Sequence, residues 1–125
     1  MKVLADTSVW VAHFRSASPA LAGLLAADRL VIHPLVIGEL ACGTPPDRVR
    51  TLADLGSLQQ VRLATIAETV GLIERERLYG RGCGLVDLLL LASTMLTPGA
   101  ALWTLYRRLA ELAEPLAALH RPAMH

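Results

Sequence analysis

Apolar residues in this chain fall into short runs that alternate between two periods. Residues 2–5, Lys2-Val3-Leu4-Ala5, stop abruptly at Asp6, Thr7 and Ser8, which predicts a buried strand and then a helix cap. Short helices are expected over 9–14 and over 19–27, where Pro19 suits a first helical turn. The run at 30–33 reads as a second strand, and 35–42 as a helix closed by Gly43. Thr44-Pro45-Pro46-Asp47 is a break with Asp47 as the cap of a helix over 48–55. A third strand is expected at 60–64. A helix over 65–79 follows, with Ile66, Val70 and Ile73 on one face.

Gly80-Arg81-Gly82-Cys83-Gly84 is a turn, and 85–95 is an apolar helix expected to be buried all round. Thr97-Pro98-Gly99 breaks the chain before a fourth strand at 101–104. A last helical region covers 106–119, interrupted by Pro115, and the tail to His125 is expected to be loose. Strands that lack polar alternation and are separated by helices belong to parallel sheets covered on both faces. The fold class expected is α/β, a three-layer α/β/α arrangement around a mainly parallel sheet of four to five strands. At 125 residues the chain suits one domain, spanning 1–125.

Composition changes little in this picture. Hydrophobic residues make up 54% and charged residues 18%, a globular balance. No apolar run reaches the roughly 18 residues of a membrane helix, and Asp6 interrupts the N-terminus too early for a signal peptide. The expected location is therefore the cytoplasm, with no membrane association. Cys42 and Cys83 form no close pair and read as buried small hydrophobes in a reducing compartment. The net charge of +1 neither favours nor excludes nucleic acid, which needs only a local basic patch.

The carboxylates carry the chemistry. In open α/β sheets, sites form outside the carboxyl ends of strands, and Asp6 stands at such an end. Ser8 or Thr7 would serve as the helix cap, leaving Asp6 spare. Glu39 lies within an otherwise apolar helix, where a charge is paired, metal-bound or costly. Asp87 is the sole charge between Arg81 and Arg107, at the start of the apolar helix. Helix-start acids gain from the macrodipole, yet a carboxylate on a buried helix also needs a partner. Three acids converging in one cleft suit an oxygen-ligand site for Mg²⁺ or Mn²⁺.

Asp6-Thr7-Ser8-Val9-Trp10, Ile37-Gly38-Glu39-Leu40, Val86-Asp87-Leu88-Leu89-Leu90-Leu91-Ala92 and Leu102-Trp103-Thr104 resemble, in order, the acidic motifs and fourth strand of the PIN-domain family. The size is similar to its VapC group, the toxins of VapBC toxin–antitoxin pairs. The resemblance implies a metal-dependent endoribonuclease that hydrolyses RNA phosphodiesters. Its catalytic residues would be Asp6, Glu39 and Asp87, with Asp6 and Asp87 as principal metal ligands and Mg²⁺ or Mn²⁺ as cofactor. Thr7, Ser8 and Thr104 would be hydroxyl neighbours, and Arg15, Arg81, Arg107 and Arg108 would face RNA phosphates. The resemblance also implies a homodimer and a small cognate antitoxin. Trp10, Phe14, Leu21 and Leu24 on the early helices are candidates for the partner groove, although Trp10 and Trp103 also read as core.

One position departs from the family. A fourth acid usually follows the fourth strand, and here Tyr106 takes its place; Glu111 lies about one turn further on. The alternative reading is therefore a catalytically degenerate PIN-fold binding module. A phosphorelay receiver would want a late lysine, and Lys2 is the sole lysine. A haloacid-dehalogenase-like phosphatase would want a second Asp where Ser8 stands.

Overall fold

The computed structural model describes residues 1–122; the expectation for the tail beyond them lies outside the described residues. Its elements are β1 (Lys2–Ala5), α1 (Thr7–Arg15), α2 (Pro19–Ala26), β2 (Leu30–Val31), α3 (Pro34–Ala41), α4 (Arg48–Gly56), α5 (Ile66–Glu76), α6 (Leu85–Leu96), β3 (Ala100–Trp103) and α7 (Arg107–Ala113). The α/β class stands, and the sheet is parallel. Its strand order is β2-β1-β3, with Val3 beside Leu30 and Ala101, and Leu4 beside Val31 and Leu102.

Three strands are formed among the described residues, not four to five. Each sheet edge is extended by one isolated parallel bridge, Ile32 to Gln60 and Leu102 to Leu119. The strand expected at 60–64 leaves the sheet after that bridge because its N–H groups find side chains instead. Arg62 N–H donates to Thr97 Oγ1 at 2.9 Å, and Ala64 N–H to the buried Ser93 Oγ at 3.0 Å. The last helix stops at Ala113, ahead of Pro115. The chain then returns to β3, where Leu102 N–H donates to Ala118 O and His120 N–H to Leu102 O.

Local chemistry sets the helix starts. Ser18 caps α2 through Leu21 N–H, with Pro19 at its first turn. Thr65 and Glu68 form a reciprocal capping box on α5. Asp47, expected to cap α4, adopts a left-handed φ of 46° and makes no side-chain cap bond. His33 caps α3 by accepting Leu35 N–H at Nδ1, 3.0 Å away. Burial lowers its pKa, so the neutral ring carries its proton on Nε2, a buried atom without a hydrogen-bond partner among the described residues.

The core is built on the strands. Val3, Leu4, Ala5, Ile32 and Leu102 are fully buried, and α6 lays Leu88–Leu91 against them. The face of α5 differs from the expectation. Thr69 and Leu72 are buried, whereas Ile66 and Val70 are exposed. Thr69 can be buried because its hydroxyl donates back to Thr65 O at 2.9 Å. Trp10 and Trp103 are core residues, as expected. Leu21 and Leu24 are buried with Trp10 in the chain's own core, so three of the four residues suggested for a partner groove face inward. Cys42 is exposed rather than buried, Cys83 is half-buried, and both are free thiols.

Candidate active site

The chain runs from β1 to β2 on one side and later places β3 on the other. The direction of strand order therefore reverses beside β1, and the crevice lies outside the carboxyl ends of β1 and β3. Asp6 follows β1 directly and Thr104 follows β3. The Thr104 hydroxyl donates to Asp6 Oδ2, closing the mouth of the crevice.

Asp6 is buried and is itself the cap of α1, which corrects the expectation that Ser8 or Thr7 would do this. Its Oδ1 accepts Val9 N–H at 3.3 Å and the Ser8 hydroxyl at 2.5 Å. Ser8 instead ties the segment after β3 to α1, accepting Leu105 N–H at 3.0 Å. A buried carboxylate thus has three donors, as burial of a charge requires. Thr7, the next residue, donates its hydroxyl to Glu39 Oε1 at 2.5 Å and so orients a carboxylate from α3. Glu39 is exposed and opens into a cavity of about 480 Å³. Val11, Phe14 and Arg15 of α1, Leu40 of α3 and the 43–46 turn complete its lining.

Asp87 sits in the first turn of α6 and is partly buried. Burial raises its carboxyl pKa. The Gly84 N–H at the helix cap partly offsets this, and the charges of Asp6 and Glu39 raise it further. The three acids chosen from the sequence therefore share one electrostatic field, although they come from a strand end and two different helices. As the side chains stand, no three described His, Cys, Asp or Glu residues form a closed metal-ligand group. The donor set nevertheless fits a hard divalent cation: it is all oxygen and anionic, and Asp6 Oδ2 and Glu39 Oε1, with one donor each, keep a lone pair free.

Tyr106 points elsewhere. Its hydroxyl donates to Gly82 O at 2.5 Å, and its N–H donates to Thr104 Oγ1 at 2.9 Å. Glu111 does not replace the missing acid, because it pairs with Arg107 at 3.0 Å. Of the arginines singled out, Arg15 lines the cavity with Glu39, and Arg108 packs over Gly82. Sequence reasoning missed the Tyr106–Gly82 bond, which joins residues 24 positions apart and leaves no local signature.

A family model for the PIN domain matches residues 3–115. Ribonuclease VapC32 of Mycobacterium tuberculosis, in strains CDC 1551 / Oshkosh and ATCC 25618 / H37Rv, is 47% identical over 107 residues, covering 86% of this chain and 86% of the relative. The family match spans all three acids, and with this identity it shows that the chain belongs to the PIN-domain family, in its VapC-type group.

Proposed function

We propose that the protein is a divalent-metal-dependent endoribonuclease, the toxin of a type II toxin–antitoxin pair. The observation that carries the reading is that a PIN-domain match runs through Asp6 at a strand end and through Glu39 and Asp87, whose charges act on one another. Asp6 and Asp87 would hold Mg²⁺ or Mn²⁺, with Glu39 completing the site. When bound, the cation supplies charge neutralisation and Lewis acidity at the RNA phosphate.

The chain's own residues do the rest. Three donors fix the Asp6 carboxylate, so little reorganisation accompanies binding. Thr7 holds Glu39 at the cavity rim, where its carboxylate is placed to accept a proton from an attacking water. Arg15, on the wall of the same cavity, meets a phosphate brought against these acids. The cognate antitoxin, a homodimer and a cytoplasmic location belong to the same proposal. No helix of the described residues is long and apolar enough to cross a membrane.

The test is cleavage of single-stranded RNA with Mg²⁺, with Mn²⁺ and with a chelator. Cleavage that requires the metal and is lost in Glu39→Gln supports the reading. Metal-tight RNA binding without cleavage would instead favour a binding module, the reading to which Tyr106 lends weight by supplying no fourth carboxylate.

A further inference from the structure

The turn between α5 and α6 is weakly held by its own backbone. Gly80 and Gly82 take φ values of 68° and 87°. No backbone N–H of residues 79–84 donates to a backbone carbonyl among the described residues. Its anchor is the Tyr106 hydroxyl on Gly82 O. Arg108 reinforces the contact by filling the space beside Gly82, where a Cβ would stand 2.3 Å from Nη1. Two residues on, Gly84 caps α6, whose first turn carries Asp87. On its other side Tyr106 donates its backbone N–H to Thr104 Oγ1, whose hydroxyl holds Asp6.

We propose that Tyr106 is a positioning residue that sets the spacing of Asp6 and Asp87, through Thr104 on one side and through the Gly82–Gly84 turn on the other. This rests on the nuclease reading for its consequence but not for its geometry. Tyr106 joins the two strand-end and helix-end acids through one residue's backbone and side chain. Loosening either link lets α6 start at a variable distance from Asp6, and metal sites lose affinity when their ligands lose preorganisation.

The test is Tyr106→Phe, which keeps the ring and removes the hydroxyl. Hydrogen exchange on the metal-free protein should speed up about two- to tenfold at residues 88–90, where α6 first hydrogen-bonds its N–H groups, the factor a single net hydrogen bond is worth. Residues 3–5 of the sheet should be unchanged. Affinity for Mn²⁺, followed as free ion by electron paramagnetic resonance, should weaken by a similar factor. With RNA at saturating metal, kcat should fall while KM stays put. Unchanged exchange at 88–90 overturns the proposal whatever the activity does. Faster exchange with unchanged Mn²⁺ affinity overturns it too, because the bond would then only stabilise the fold. A wild-type protein without metal-dependent cleavage refutes the nuclease reading alone, and exchange with Mn²⁺ affinity still decides the role of Tyr106.

Discussion

Replacing Thr104 by Val removes one hydroxyl from the buried mouth of the crevice without changing the side chain's shape. That hydroxyl donates to Asp6 Oδ2 and accepts Tyr106 N–H. Thr104 is 8% exposed and Asp6 4%, so solvent screens their bond poorly. A hydrogen bond to a charged group contributes about 1.5–3 kcal/mol. The methyl that replaces the hydroxyl returns about 0.8 kcal/mol of apolar burial. Tyr106 N–H is partly exposed and can turn to water, adding little. The net loss is therefore about 1–2 kcal/mol. For a chain of this length each kcal/mol moves Tm by about 4 °C, so Tm should fall by about 4–8 °C in calorimetry with a chelator present. A double-mutant cycle identifies the partner. In an Asp6→Asn background the same change should cost less than half as much, since the charge is gone. A Tm within about 1 °C of wild type, or an equal loss in both backgrounds, would refute the view that Thr104 holds Asp6.

Other consequences follow from the same geometry. Asp87 titrates above its usual value in the folded protein, so its ionisation opposes folding as pH rises through that range. Metal-free Asp87→Asn should thus be as stable as wild type or more so at neutral pH, with the difference vanishing below about pH 4 in denaturant titrations. Asp6→Asn behaves oppositely. Because Asp6 caps α1 and accepts three donors, the substitution should lower stability by about 1 kcal/mol, read as a shifted denaturation midpoint. Gly82→Ala should lower stability by about 1–3 kcal/mol, because a φ of 87° strains any side chain while the flexible Arg108 can move aside; a wild-type Tm would contradict the backbone described. Sedimentation at high micromolar concentration should show a homodimer, and a single monomeric species would refute that part of the proposal.

The sequence carried the strand-end logic well, because it depends on local pattern. The stop at Asp6, the apolar run after Asp87 and the proline at the start of α2 are written in adjacent residues. What it did not carry depends on partners distant in the chain. Residues 60–64 have strand-like composition, yet Ser93 and Thr97 of the α6 segment take their N–H groups. The face of α5 has two apolar stripes, and packing against α6 selects Leu72 over Ile66 and Val70. Asp6 and Ser8 both qualify as caps on propensity alone. The choice falls to Asp6 because Ser8 is needed by Leu105, 97 residues away. Tyr106 reads from the sequence as a missing carboxylate, and its bond to Gly82 gives it a task of its own.

The central claim is that Asp6, Glu39 and Asp87 make one metal site. Mn²⁺ titration of the metal-free protein, monitored by electron paramagnetic resonance, tests it without recourse to activity. The account predicts saturable binding that weakens at least about tenfold in Asp87→Asn, as expected when a direct ligand is lost, with the variant still folded by circular dichroism. Equal Mn²⁺ affinity in the wild type and in folded Asp87→Asn would contradict it.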